Sequence, residues 1–359
     1  SLISVQWILI GYSLSFGPDI NGLIGSLDWI GLRGVGIEPN PDYAPTIPHM
    51  AFMIYQAMFA VITPALITGA FAERMKFSAY VLFILLWSTV VYDPVAHWVW
   101  GTGGWLKNMG VLDFAGGIVV HLISGISALA AALIIGRRKG YLQEAMYPHN
   151  LPMTVLGTGL LWFGWFGFNA GSALSAGALS TMAFVATHTS AVSATLIWVI
   201  IEWIHRGKPT MFGAATGSIA GLATITPASG FVSPMSALII GLAAGAVCYV
   251  ALTMKTKIGY DDSLDAFGVH GIGGILGTVA TGLFASTLIN PAGGNGLLFG
   301  SHQLLASQMT ALTVTAVYSF VVTVILLKVI DKFIGLRIDQ ESEQHGLDIS
   351  QHGESGYSN

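Results

Sequence analysis

Charge is what this sequence has least of. Charged residues make up 9% of its 359 positions, against roughly 25% in soluble domains, and a soluble surface of this size cannot be built from so few. Cysteine occurs once, at Cys248, which excludes an intrachain disulfide framework and argues against a cysteine-rich metal site. There is no basic tract and the net charge is −4, so nucleic acid is not an expected partner. No signal peptide is visible, because residue 1 already lies in a hydrophobic run. That run, Leu2 to Phe16, is short of the roughly 20 residues that cross a bilayer. The chain is therefore expected to start part-way through a helix and to be N-terminally incomplete.

What the sequence does have is apolar length. Hydrophobic residues make up 53%, mean hydropathy is +0.70, and glycine occurs 45 times, as expected where membrane helices pack closely. After a polar loop from Gly17 to His49, long apolar segments follow at about 50–72, 77–98, 115–136, 151–171, 178–204, 211–227, 233–254, 266–288 and 302–334. Each is near or above the spanning length of roughly 20 residues, and backbone inside hydrocarbon must satisfy itself as helix. The last segment would be about 50 Å long as one helix, so it is expected to tilt strongly or to project from the bilayer. The expected fold is an all-α polytopic membrane protein, with a polar tail at 335–359.

The loops predict an orientation. One set of connections carries Arg74, Lys76, Arg137, Arg138, Lys139, Arg206, Lys208, Lys255 and Lys257, and the C-terminal end adds Lys328, Lys332 and Arg337. The other side has only Arg33 and Lys107, which completes the 14 basic residues. The first set is expected to be cytoplasmic, and with it the C-terminus.

Two short stretches echo each other. Asp113-Phe-Ala-Gly-Gly-Ile-Val-Val-His121 and Asp262-Ser-Leu-Asp265-Ala-Phe-Gly-Val-His270 each place a histidine in an apolar, glycine-rich run behind an acid. Each is preceded by an Ile-Thr-Pro-Ala element, at residues 62–65 and 225–228. In the predicted orientation the paired helices run in opposite directions, the mark of an inverted repeat with its site near mid-membrane. His121 lies roughly 12 Å down from the outer end and His270 roughly 8 Å up from the inner end, so the two approach each other.

Each of these residues has a plain reading beside a functional one. The histidines are either hydrogen-bonded packing groups or a proton relay that also binds a small hydride such as ammonia; ionisable groups inside membrane spans usually mark a pathway. A metal would need a third ligand, and no nearby cysteine or HExxH pattern supplies one. Asp113 caps the start of its helix and can at the same time favour a cation at the outer mouth. Asp262 and Asp265 are read as caps. Trp100 and Ser172 lie at one depth near the outer surface, with Phe59 and Phe168 below them. Interfacial aromatics are usually anchors, but a tryptophan face also attracts a bare cation, by about 2 kcal/mol or more when desolvated. A serine hydroxyl accepts a hydrogen bond from ammonium and gets none from potassium, a selectivity of the unpaired-group kind. Without further information Phe59 and Phe168 read as core aromatics.

The stretches YQAMFAVITPALITGAFAER (55–74), PVAHWVWGTGGW (94–105), LDFAGGIVVH (112–121), GWFGFNAGSA (164–173), DDSLDAFGVHGIGG (261–274) and GLDISQHGESGY (346–357) together resemble the ammonium transporter family (Amt/Mep/Rh), on the Amt side. The resemblance covers nearly the whole chain. It implies eleven helices, inverted five-helix repeats and a trimer, of which about nine and a half helices are present here, the family's first helix and the start of its second being absent. By motif, Trp100, Phe59 and Ser172 match the outer ammonium-recruitment site, with Tyr55 on its aromatic flank and Asp113 nearby. Phe59 and Phe168 match the stacked pair that closes the pore, and His121 and His270 match its twin histidines. One departure is the extra residue in GTGGW beside Trp100.

The resemblance implies a transport domain at 1–334 and a cytoplasmic regulatory tail at 335–359 that couples subunits of a homotrimer and helps receive a PII-type signalling protein. Composition alone would make that tail disordered, since it carries Asp339, Glu341, Glu343, Asp348 and Glu354. The implied function is ammonium transport in a cell membrane, with no cofactor and no enzymatic reaction. The rivals are an ammonium sensor of the same fold that conducts little, which usually carries an appended signalling domain, and an intramembrane metalloenzyme, which lacks ligands.

Overall fold

A computed structural model describes residues 1–357; the last two residues of the expected tail, 358 and 359, lie outside the described residues. Eight helices among the described residues are long and apolar enough to cross a membrane, and two shorter apolar helices accompany them. In chain order they are α1 (Leu2–Phe16), α2 (His49–Ala70), α3 (77–100), α4 (Gly117–Ile135), α5 (Leu151–Ala173), α6 (Ala178–Arg206), α7 (Met211–Ile225), α8 (Pro234–Ile258), α9 (Phe267–Phe284) and α10 (His302–Ile334). Two small antiparallel hairpins fold the 17–48 loop over one end of the bundle: β1 (Asp19–Ile20) with β2 (Ile24–Gly25), and β3 (Pro39–Asn40) with β4 (Ala44–Pro48).

Helix α10 shows how the sequence solves burial in an apolar solvent. Its buried stripe runs Ala311, Thr315, Ser319, Thr323 and Leu327, and its exposed stripe runs Val317, Val321, Ile325 and Val329. Both repeat every four residues, so each forms one face of the helix. Small and hydroxylated side chains point inward and branched aliphatics outward, the reverse of a soluble helix. The hydroxyls are paired: Thr315 donates to Ala311 O at 2.8 Å, and Thr323 donates to Ser127 on α4 at 2.9 Å. Trp87 on α3 donates its indole N–H to the same two hydroxyls, at 3.0 and 3.1 Å. A strip of α10 is thereby fixed to α3 and α4. As the sequence predicted, this helix is continuous over 33 residues.

The two Ile-Thr-Pro-Ala elements take different courses. In α2 the helix continues through Pro64 to Ile67, and Thr63 donates to Phe59 O at 2.6 Å. In α7 the helix ends at Ile225, short of the expected residue 227. There Pro227 O accepts the backbone N–H of Phe114, at 3.1 Å, and so joins the end of α7 to the approach to α4. The segment expected to reach 288 likewise ends at Phe284, where Ala285 turns extended.

The acids at the starts of α4 and α9 repeat one geometry. Asp113 accepts from Gly116 and Gly117 through Oδ1 and from Ile118 and Val119 through Oδ2, at 2.6–3.1 Å. Asp262 accepts from Phe267, the same five-residue offset as Asp113 to Ile118, at 2.8 Å. Asp265, expected as a second cap, does something else. Its backbone is left-handed at φ 59° and its carboxylate pairs with Lys255 on α8, because Asp262 already supplies the helix start. Both helices then open as wide π turns, Gly117–Leu122 and Phe267–Gly271, each carrying its histidine.

The basic end of the bundle is tied by Arg74, whose buried guanidinium donates to Ala70 O, Gly136 O, Asp261 O and Ser263 at 2.6–2.9 Å. Arg138 pairs with Asp261 at 2.9 Å and Glu73 at 2.7 Å. Burial would raise the Asp261 carboxyl, but these hydrogen bonds and the neighbouring guanidinium charges hold it below the usual carboxylate range. The tail lies against this end. Leu336 O accepts Lys76 N–H at 2.8 Å, α11 (Gln340–His345) is capped by Asp339, and Glu343 accepts from Arg337 at 2.7 Å and from Lys139 N–H at 2.8 Å.

Helices α4 and α9 touch through backbone. A Cβ built on Gly125 would lie 2.1 Å from Gly271 N and 2.2 Å from its Cα, with His270 C at 3.0 Å. Gly125→Ala is expected to destabilise the bundle by about 1–3 kcal/mol, the usual cost of overpacking, and thermal unfolding of the detergent-purified protein should show it as a lowered midpoint. An unchanged midpoint would mean the two helices are free to separate.

Candidate functional site

A cavity of about 170 Å³ opens at the loop end of the bundle and is lined by Tyr55, Gln56, Phe59, Trp100, Asp113 and Ser172, with Tyr43, Asp42 and Lys107 among the residues at its lip. Four helices meet there, and three of them end or start at this level. Trp100 is the last residue of α3, Asp113 precedes α4, Ser172 lies in the last turn of α5, and Tyr55 and Phe59 lie one turn apart on α2.

Hydrogen bonds fix the polar edges. The Trp100 indole donates to Asp113 O at 2.8 Å, which sets the ring's tilt. Ser172 donates to Phe168 O at 2.9 Å, leaving its oxygen lone pairs as acceptors, and the Tyr55 hydroxyl lies 3.1 Å away. Tyr55 itself donates to Phe168 O at 2.7 Å. Asp113 has most of its acceptor capacity taken by four N–H groups at the start of α4, those of Gly116 to Val119. It therefore neutralises a helix start and orients the indole through its carbonyl, and only its partly uncovered face contributes to the cavity wall.

Beneath the cavity the rings form a file. Phe59 meets Trp100 edge-on with centroids 5.6 Å apart, and meets Tyr55 likewise at 5.0 Å. Phe168 packs on Phe59 at 4.5 Å, behind the cavity wall. Below it His121 lies nearly parallel to Phe168 at 5.9 Å, and His270 nearly parallel to His121 at 5.1 Å. The two imidazoles share one hydrogen bond, Nδ1 to Nδ1 at 3.2 Å. With both rings neutral, one Nδ1 must donate and the other accept, so the two rings hold opposite tautomers at these atoms. The Nε2 of His121 is buried with no hydrogen-bond partner among the described residues.

All eight residues singled out from the sequence are thus brought together: Tyr55, Phe59, Trp100, Asp113 and Ser172 line the cavity, and Phe168, His121 and His270 follow Phe59 in file. Sequence reasoning missed two parts of it. Trp165 flanks His121 with centroids 5.3 Å apart and anchors its indole on Thr226 at 3.0 Å; its position three residues before Phe168, on the same helix face, was the available signal. Tyr43 and Asp42 come from a loop, and Lys107 from a one-turn helix, whose folding no periodicity predicts. Among the described residues, no group of three or more His, Cys, Asp or Glu side chains is arranged to hold a metal ion.

The sequence model of the Ammonium Transporter Family matches residues 1–357. The chain belongs to the ammonium transporter family. It is similar to the ammonium transporter of Bacillus subtilis, at 51% identity over 99% of this chain and 87% of that protein. The ammonium transporter Amt1 of Archaeoglobus fulgidus is likewise 51% identical, over 98% of this chain and 86% of that one. Among solved structures, the crystal structure of Saccharomyces cerevisiae Mep2 superposes with a TM-score of 0.89 at 37% identity, covering 95% of this chain and 78% of that one. As in the family, the chain is a multi-pass membrane protein.

Asp113→Asn tests the capping role in this family member. An amide is neutral and offers one acceptor oxygen where the carboxylate offers two, so all four N–H groups from Gly116 to Val119 lose a charged partner and two of them lose their acceptor. The expected cost is about 1–3 kcal/mol, read as a lower folded yield and unfolding midpoint in detergent. A fully stable Asp113→Asn protein would leave the carboxylate's purpose in the cavity alone.

Proposed function

We infer that this protein is an ammonium transporter that separates the substrate's charge from its nitrogen. Ammonium is taken up in the cavity by the faces of Trp100 and Phe59, with Ser172 as hydrogen-bond acceptor and Tyr55 at its flank. It gives up a proton above the Phe59 and Phe168 pair; that proton either returns to the outer solvent or crosses separately by way of the histidines, while neutral ammonia passes the pair and continues beside His121 and His270. The observation that carries this reading is the file of rings running from the cavity to two imidazoles that share a single hydrogen bond. A cation at the bilayer centre costs at least about 3 kcal/mol and by some measures 10 or more; loss of the proton removes most of that cost. Paired imidazoles can hand the proton on, since each ring both donates and accepts.

The relatives' names support the substrate, and the low exposure of Phe59 supports a closed floor. The basic end, carrying twelve of the 14 lysines and arginines, is proposed to face the cytoplasm of a cell-membrane protein. Residues 1–334 would form the transport domain and 335–359 a regulatory tail, whose described residues lie against the basic end in a position suited to reception of a PII-type signalling protein. The heavily exposed apolar residues of α5, among them Leu160 and Phe163, suit burial in a homotrimer.

Current across proteoliposomes under an ammonium gradient is the deciding measurement. Trp100→Leu is expected to weaken apparent affinity for ammonium about tenfold or more, in line with a desolvated cation–π contact, and an unchanged affinity would remove the outer site. His121→Ala is expected to alter the rate or the exclusion of potassium while the protein remains folded. Unchanged flux together with unchanged potassium exclusion would defeat the relay. A protein that binds ammonium but passes neither current nor ammonia would be the sensor instead.

A further inference from the structure

Lys107 brings a primary ammonium group to a cavity proposed to collect ammonium. It sits on the one-turn helix Trp105–Asn108, which folds back over the end of α3 after Gly101–Gly104. Its Nζ donates to Trp100 O at 2.9 Å and lies 5.5 Å from the centroid of the Tyr43 ring. Tyr43 is held in place by stacking on Phe52 at 5.4 Å and by accepting Thr102 N–H at 2.8 Å. Three charged side chains line this cavity: Asp42, Lys107 and Asp113. Asp113 is engaged by four backbone N–H groups, so the field that an arriving cation meets is set largely by the other two.

We propose that Lys107 is a specificity-determining residue: a tethered ammonium that occupies the cation-attracting face of Tyr43 and opposes the accumulation of free cations at the lip, with Asp42 as its counterweight. This rests on the reading of the cavity as the recruitment site. The physical reasons are two. A ring face already holding one cation offers little to a second. A fixed positive charge within several ångströms also raises the free energy of any other cation in the mouth, by an amount that salt screens. Only a cation that then gains the deeper contacts with Trp100 and Ser172 is admitted. Larger alkylammonium ions, which would rest on the lip, are disfavoured most.

The test is uptake and current in proteoliposomes at low and high ionic strength for wild type, Lys107→Met, Lys107→Gln, Lys107→Arg, Asp42→Asn and Trp100→Leu. Lys107→Gln keeps a donor within reach of Trp100 O while removing the charge, which separates the field from the clamp. Lys107→Met and Lys107→Gln are expected to strengthen apparent affinity about three- to tenfold at low salt, more for methylammonium than for ammonium, with the gain shrinking as salt screens the mouth; an equal gain for both ions would overturn the specificity role. Asp42→Asn should act in the opposite direction, and Lys107→Arg should stay close to wild type. If Trp100→Leu weakens affinity while the charge-removing variants keep wild-type affinity and salt dependence, the role of Lys107 is overturned and the cavity reading stands. If Trp100→Leu is also without effect, the cavity reading itself has failed. Failure of both neutral variants to fold would make the lysine a clamp for the lip and overturn the proposal as well.

Discussion

The approach of α4 to α9 without intervening side chains is the constraint on which everything else rests. At Gly125 and Gly271 the two helices meet backbone to backbone. That contact brings His121 and His270 within one hydrogen bond although 149 residues separate them in the chain. Gly274 serves the same end, since a Cβ there would lie 2.6 Å from Leu122 N. Between helices in an apolar solvent, attraction comes from close packing rather than from expelled water. Glycine at the crossing therefore both permits the contact and supplies the dispersion that holds it.

A second theme is the handling of polarity. Hydroxyls on the inward stripe of α10 are paired within the helix or with α4. Asp113 and Asp262 complete helix starts, and the charges of Arg74, Arg138 and Asp261 are gathered at one end. Beneath the cavity the file of rings from Phe59 to His270 carries no carboxylate, lysine or arginine. The groups gathered there are aromatic quadrupoles and imidazoles, with formal charge in the cavity lining and at the basic end.

Much of this could be read from the sequence, because in a bilayer length and apolarity nearly dictate the element. The helices of α2, α4, α5, α6, α8 and α10 fall close to their expected ranges. The meeting of the histidines followed from depth counting once the repeat was seen. The misses have physical causes. Pro64 and Pro227 are identical in local context, yet one lies within a helix and the other just beyond a helix end, where its carbonyl finds a tertiary donor in Phe114 N–H. Asp265 looked like a cap because it stands near a helix start, and only the fold shows Lys255 waiting for it. The lip of the cavity was invisible because Tyr43 and Lys107 meet across loops whose course depends on turns, hairpins and one another. Trp165 was legible in principle, one turn from a residue already chosen.

The wide turns that carry both histidines have a further implication for how this protein can vary. A π turn holds one residue more than the α-helical turn it replaces. Losing that residue from Gly117–Leu122 or Phe267–Gly271 would tighten the ladder and rotate every later side chain on the helix by about 100°. The imidazole contact would be lost, and the glycine seam with it, even if no chemically important residue had been touched. Apart from their histidines and glycines, these two segments should therefore accept changes of identity far more readily than changes of length.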